Sequence, residues 1–333
     1  MSAAQTPAPA ATTTGAPPTT TTGAPPTTTT ATPATATTAT PPPAPPAGRA
    51  PAPARRGTRG ERLRKPGVYA LLSLGLLVMA TPFLWMALSA FKTDRELRAS
   101  PPVWLPTEWT LDHFTRLLDR LDLPLHFFNS AVVAVLVTVS NLVFCSMLGY
   151  ALAKLRFAGR NKVFALVLGA LMVPGNLMLL PLFVLMSKLR LIDSYAGLVL
   201  PFAAGALGVF LMRQFMLSIP DELLEAARMD GAGEWYIFWR IVMPLVKPAL
   251  ATLAILTFLG SWNNFVWPLI ATNDPDKYTL PVALATFATD PNQSSGSNGM
   301  LMAGSLLIVL PVLLVFLVLQ RYFTQGIATA GLK

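Results

Sequence analysis

Apolar and polar positions along this chain fall into long blocks, unlike the short alternations of a water-soluble fold. Six stretches run without a charged side chain: 67–91, 123–153 (its helical core from about Asn129), 163–187, 194–212, 248–273 and 300–320. A membrane crossing needs about 20 mainly apolar helical residues, because the hydrocarbon layer is about 30 Å thick and each residue rises about 1.5 Å. Each block therefore predicts one crossing. The fourth is the shortest, with 19 uncharged residues between Asp193 and Arg213.

Two of the intervening segments carry a helical period of their own. From Thr110, the apolar residues Leu111, Phe114, Leu117, Leu118 and Leu121 recur on one face, with Asp112, Arg116, Asp119 and Arg120 between them. That pattern predicts an amphipathic helix lying along a membrane interface or against neighbouring spans, with a packing role. In 213–247, Ser218 offers an N-cap, Pro220 suits a first turn, and Asp221 and Glu222 suit the positive end of the helix dipole. Leu223, Leu224, Ala226 and Ala227 continue that helix and Gly231 offers a stop. A second helical stretch runs from about Glu234 through Ile241, with Pro244 and Pro248 punctuating the approach to the fifth block.

The placement of charge gives these blocks an orientation. With the amino terminus inside, the inner segments (1–66, 154–162, 213–247 and 321–333) hold 17 of the 25 Lys and Arg residues. The outer segments (92–122, 188–193 and 274–299) hold the other 8. This follows the positive-inside rule and predicts six crossings with both termini cytoplasmic. The bias is sharpest at 154–162, where Lys154, Arg156, Arg160 and Lys162 stand without an acid.

Composition agrees: 53% of the 333 residues are apolar and 12% charged, against about 25% charged in an ordinary soluble chain. The net charge of +9 does not indicate nucleic-acid binding, because seven basic residues (Arg49, Arg55, Arg56, Arg59, Arg62, Arg64 and Lys65) sit just before the first apolar block. Residues 1–66 begin with an uncharged Ala/Thr/Pro/Gly tract in which TTTGAPPTTT occurs twice, at 12–21 and 20–29. Such a tract buries almost nothing and is expected to be a disordered tail. One cysteine, Cys145, and two histidines, His113 and His126, supply little material for a metal site or acid–base chemistry. No catalytic residue is therefore assigned.

The run EAARMDGAGEWYIFWRIVMP resembles the EAA loop of bacterial ABC importer permeases. Glu225-Ala226-Ala227, Gly231, Ile241 and Pro244 stand at the spacings of that pattern, with Met243 in place of the usual Leu. FFNSAVVAV, YALAKLRFAGR, VPGNLMLLPLFVLMSKLRLIDSYAGLVLP, FLGSWNNFVWPL, YTLPVAL and QRYFTQGIATAGLK extend the resemblance over about 67–333, toward the carbohydrate-importer branch and its shorter permease. The resemblance implies a six-span type I importer permease fold over 67–333, lodged in the cell membrane. It implies a loop in which Glu225, Ala226, Ala227, Asp230, Gly231, Ile241 and Pro244 dock on a separate ATPase. Its implied partners are two ABC ATPase subunits, a second permease, an extracytoplasmic solute-binding protein and membrane lipid. The chain has no Gly-x4-Gly-Lys-Ser/Thr loop, so ATP and Mg would be used by the partner ATPase.

Ser261-Trp262-Asn263-Asn264 is strongly polar for membrane depth and must face the bundle or a wet cavity. Trp262, Asn263 and Asn264 are accordingly candidates for lining a translocation path that bonds sugar hydroxyls. Interhelical hydrogen bonding is the other account of them. No Asp, Glu, Lys or Arg lies deep in a block. That leaves an ion-coupled secondary transporter poorly supplied with a relay, though it remains the rival of a different class. Within the importer class the rivals carry glycerol phosphate, amino acids or polyamines.

Overall fold

The computed structural model describes residues 59–289 and 298–330, and the side chains of 67–289 and 298–318. The expected disordered tail, 1–66, therefore lies outside the described residues over 1–58, while its last residues, 59–66, are helical. The chain divides at Thr58/Arg59. From Arg59 onward the chain is helical, with no strand among the described residues.

Helix α1 (Arg59–Ser89) begins in the basic flank, earlier than the boundary at 67 read from apolarity alone. The outer segment holds the short α2 (Asp94–Leu97) and α3 (Asp112–Arg120). Next come α4 (Leu123–Lys154), α5 (Arg160–Met172), α6 (Gly175–Lys188), α7 (Tyr195–Phe202) and α8 (Ala206–Leu217). The inner loop forms α9 (Asp221–Met229) and α10 (Glu234–Leu245), the latter with a π-helical centre over Ile237–Val242. The chain closes with α11 (Lys247–Trp262), α12 (Val266–Ala271), α13 (Leu280–Thr289) and α14 (Asn298–Ala330).

Three helices are long and apolar enough to cross a membrane alone: α1 over Gly67–Ser89, α4, and α14 over Asn298–Val318. Three bent pairs bring the number to as many as six if each pair is one crossing. They are α5 with α6 (98°), α7 with α8 (43°) and α10 with α11 (80°). The block 163–187 is thus not one straight crossing. It breaks at Val173-Pro174, where proline offers no backbone donor and disfavours a helical residue before it. The block 248–273 also differs from its prediction, because α11 stops at Trp262 and the chain restarts as α12. An apolar helix not foreseen from the sequence, α13, occupies the segment assigned to the last outer loop, with Leu280, Val282, Ala283, Leu284 and Phe287 buried.

Helix α4 is the hub, packed against α8, α11 and α13, while α14 packs against α11, α1 and α3. The α4–α8 crossing uses small residues as membrane helices do. A methyl group on Gly149 would lie 2.8 Å from Met212 Cβ, and one on Gly208 would lie 2.8 Å from Cys145 Sγ. The outer segment folds over the end of the bundle through polar contacts. Lys92 is buried, donating to Val103 O at 2.7 Å and lying over the Trp85 ring, and His113 Nε2 meets Lys92 O at 2.8 Å. Helix α3 is amphipathic as predicted, with His113 and Leu117 turned inward.

Candidate functional site

The inner loop is held to the end of α4 by its own polar residues. Ser218 does not open α9 as predicted: its hydroxyl donates to Phe215 O at 2.7 Å and closes α8. Helix α9 begins after Pro220 without a side-chain cap, and Asp221 in its first turn accepts from Lys154 Nζ at 2.6 Å. The same ammonium donates to Ile219 O at 2.5 Å. Lys154, 4% exposed and the last residue of α4, therefore pins the loop to the bundle and holds the Asp221 carboxyl below its usual range.

Helix α9 ends by backbone rules. Gly231 has φ +83, a left-handed conformation that glycine adopts without cost. Gly231 N–H bonds Arg228 O and Ala232 N–H bonds Ala227 O, both at 3.0 Å, in a Schellman-type closure. Only Leu224 of α9 is fully buried. Glu225, Ala226, Met229, Asp230 and Gly231 are exposed and Ala227 is half-buried. The result is a protruding helix tip where Ala226 and Gly231 stand beside the exposed Met229, with carboxylates at 225 and 230.

Helix α10 is the inward half of the pair. Ile237, Phe238 and Val242 are buried in the cluster formed by Tyr150, Leu152, Met212 and Met216. Ile241 packs against that cluster, so its part is to seat the loop, whereas Pro244 lies exposed one turn further on. Glu234 joins both halves to α4: it accepts from Arg228 Nε at 2.7 Å and from the Tyr150 hydroxyl at 2.6 Å. The Arg228 guanidinium draws the Glu234 carboxyl below its usual range. Sequence patterns alone do not single out Tyr150, Lys154 or Glu234. Tyr150 meets Glu234 across 84 residues and Lys154 meets Asp221 across 67, pairings that no local pattern connects. Beneath the loop lies a cleft of about 840 Å³, bordered by Lys154, Arg156, Arg160, Glu225, Arg228 and Glu234.

A second feature lies within the bundle. A cavity of about 340 Å³ opens where two helix breaks meet, the α7–α8 break (Phe202, Ala204, Gly205) and the α11–α12 break (Asn264, Trp267, Pro268). Asn141 on α4 organises one wall. Its Oδ1 accepts from Gly205 N–H at 3.0 Å and its Nδ2 donates to Phe202 O at 2.5 Å, so it satisfies the freed backbone. Thr257, Ser261 and Asn264 also border the cavity, and their side chains have no hydrogen-bond partner among the described residues.

The three polar candidates of the fifth block thus go separate ways. Asn264 borders the cavity. Asn263 caps α11, its Nδ2 donating to Leu259 O at 2.9 Å. Trp262 is buried, donates Nε1–H to Ile308 O at 3.0 Å, and packs between Phe127 and Phe258 rather than offering its face to the cavity. Among the described residues no group of three or more His, Cys, Asp or Glu is placed to hold a metal ion.

Broken apolar helices around a cavity, with a stapled helix–turn–helix at one end, are the make-up of a multi-pass membrane protein. Comparison with known proteins makes this specific. The family of binding-protein-dependent transport system inner membrane components matches residues 145–329, and the chain belongs to it. Over 82% of its length it is 40% identical to the arabinooligosaccharides transport system permease protein AraQ of Halalkalibacterium halodurans, covering 99% of that protein. It is 33% identical to the lactose transport system permease protein LacG of Rhizobium radiobacter, over 80% of this chain and 96% of that one. It also matches a chain of a bacterial ABC transporter involved in the import of the acidic polysaccharide alginate. That match has a TM-score of 0.73 and 26% identity, and covers 80% of this chain and 98% of that one.

Proposed function

We propose that this chain is a membrane-spanning permease subunit of an ATP-driven importer for a sugar or oligosaccharide. An extracytoplasmic solute-binding protein delivers the solute. The chain is a transport subunit without hydrolytic chemistry of its own; two partner ATPase subunits use ATP and Mg, and a second permease completes the pore. Residues 213–247 and both termini face the cytoplasm. The observation that carries the reading is the exposed tip of α9, tied to α4 through Lys154 and Glu234. A tip so tied transmits a push or pull to the spans instead of folding away.

In this reading Glu225, Ala226, Ala227, Asp230 and Gly231 seat in a groove of the ATPase, while Ile241 and Pro244 support them from behind. The small side chains permit close approach, and the two carboxylates suit Arg or Lys on the partner. Asn264, with Thr257 and Ser261, offers unpaired hydrogen-bonding groups to sugar hydroxyls in the cavity. Asn263 and Trp262 support the break in α11.

The test is a single cysteine at position 225 in a Cys145→Ser background. Impermeant thiol reagents should label it only in inside-out vesicles, and the assembled ATPase should protect it. Labelling solely from the outer medium overturns the reading. Uptake that survives loss of the ATPase but collapses with an uncoupler would establish a secondary transporter. Competition by arabinooligosaccharides, lactose or glycerol phosphate then assigns the solute.

A further inference from the structure

Two faces of α10 differ sharply. One face buries Ile237, Phe238 and Val242 against the bundle; the other exposes Trp235, Tyr236, Trp239 and Arg240. Trp235 is 64% and Trp239 40% exposed, and their rings stand edge to face at 6.3 Å. Two large indoles left uncovered on a short helix need an environment that suits both an apolar ring and an N–H donor.

The depth of α10 identifies that environment. Its first residue, Glu234, bonds the Tyr150 hydroxyl, and the Phe238 ring lies 5.4 Å from the Tyr150 ring. Tyr150 is one helical turn, about 6 Å, inside the end of α4 at Lys154. Helix α10 therefore lies across the last turn of a span, at the level of the membrane–water boundary. Its orientation agrees: α10 and α11 meet at 80°, so when α11 runs along the membrane normal α10 runs nearly in the membrane plane. Aromatic residues with polar ring atoms concentrate at this level.

Charge at the same end points to the same occupant. Arg240 and Lys247 on the α10–α11 corner make no ion pair among the described residues. Nor do Arg160 and Lys162 on the neighbouring α4–α5 corner. Unpaired cations at the inner end of the spans match anionic phospholipid headgroups.

We propose that α10 is an in-plane lipid anchor, with Trp235 and Trp239 seated among phospholipid headgroups and Arg240 and Lys247 favouring anionic ones. The anchor supplies a fixed bearing behind α9, so that force on the protruding tip turns the loop about α10. This goes beyond the docking assignment and is independent of it, because α10 can sit in the headgroups whatever seats on Glu225.

The experiment uses the assembled importer in nanodiscs containing phosphatidylglycerol. A nitroxide is attached through Trp235→Cys, or separately Met229→Cys, in a Cys145→Ser background. The label at 235 should collide readily with oxygen and with a nickel chelate tethered to a headgroup. It should be shielded several-fold, relative to 229, from a water-soluble nickel chelate. Equal access of both labels to the aqueous chelate overturns the proposal by placing Trp235 in water. Shielding of 235 from oxygen and from both chelates overturns it too, by placing Trp235 under a protein partner. Should the cysteine variants fail to assemble, the Trp235→Phe, Trp239→Phe double variant keeps an aromatic side chain at both positions while removing the indoles. Lipids brominated near the headgroup should quench tryptophan fluorescence less in this variant than in the parent, and equal quenching refutes the anchor. A failure of ATPase docking would appear in thiol protection at 225 and leave these readouts unchanged.

Discussion

Replacing Glu234 with alanine should unseat the inner loop while leaving the spans intact. The change removes two bonds at once. Loss of the Arg228 pair costs about 0–1 kcal/mol, because its side chains are 37% and 45% exposed and water screens them. Loss of the acceptor for Tyr150 leaves a part-buried hydroxyl donor unsatisfied, at about 1–3 kcal/mol. Together about 2 kcal/mol corresponds to roughly a thirtyfold shift toward the unseated loop, at about 1.4 kcal/mol per factor of ten. Hydrogen exchange over 221–233 in the reconstituted importer reads that shift directly, and solute moved per ATP hydrolysed should fall with it. Tyr150→Phe removes donor and demand together and should cost about 1 kcal/mol, roughly fivefold. The acid response has a defined sign. The Glu234 pKa lies below its ordinary 4.5 in the folded chain, so its contribution is complete above that value and is lost as pH falls through the folded pKa. Seating should therefore be flat from neutral pH down to about 4.5 and loosen below it. Unchanged exchange in Glu234→Ala, or a larger effect from Tyr150→Phe than from Glu234→Ala, would refute the reasoning.

Gly231→Val should cost about 2 kcal/mol, and Gly231→Ala about 1 kcal/mol, through the φ of +83 alone, because nothing lies within 4 Å of the added Cβ; thermal unfolding of the purified permease reads the order. Gly299→Ala should drive a methyl group into the buried His113 ring and lower the melting temperature by an overpacking cost of about 1–3 kcal/mol, with partial rescue by His113→Ala. Asn264→Ala should change the KM for uptake, whereas Asn263→Ala should leave it near that of the parent; equal effects would contradict the cavity assignment. Glu96, held to about 2 by hydrogen bonds from Thr107 and Thr93, should stabilise the outer segment in full above its ordinary value of 4.5 and progressively less as pH falls from there to about 2, a decline that limited proteolysis of the outer segment reads.

The membrane class and the EAA segment were legible in the sequence because both are local. Twenty apolar residues, or a glycine that follows Glu-Ala-Ala after three intervening residues, need no tertiary contact to be recognised. The bends were not legible in the same way. Pro174 announces an interruption, but the 98° angle depends on what α5 and α6 pack against. Block 248–273 reads as continuous because Asn263 and Asn264 carry no charge. The break there is sustained by Trp267 donating to Gly197 O at 3.1 Å, a bond across 70 residues. Helix α13 reads as loop because its Leu280–Thr289 run is too short to cross a membrane, and apolarity in this chain is weighed by that standard. Polarity singles out the Trp262–Asn264 run, yet cannot assign Trp262 to packing, Asn263 to a cap and Asn264 to the cavity.

The tight fit of Gly149 against Met212 and of Gly208 against Cys145 bears on how the molecule changes shape. Two helices meshed so closely have no slack for sliding or rolling past each other, so α4 and α8 travel as one stiff block. Any rearrangement that opens one side of the membrane and shuts the other must then flex at a joint such as Val246, whose non-helical ψ of 17° separates α10 from α11. Even the methyl group of an alanine at 149 would press on Met212 and strain that block, a mechanical fault distinct from a lost contact with solute or ATPase.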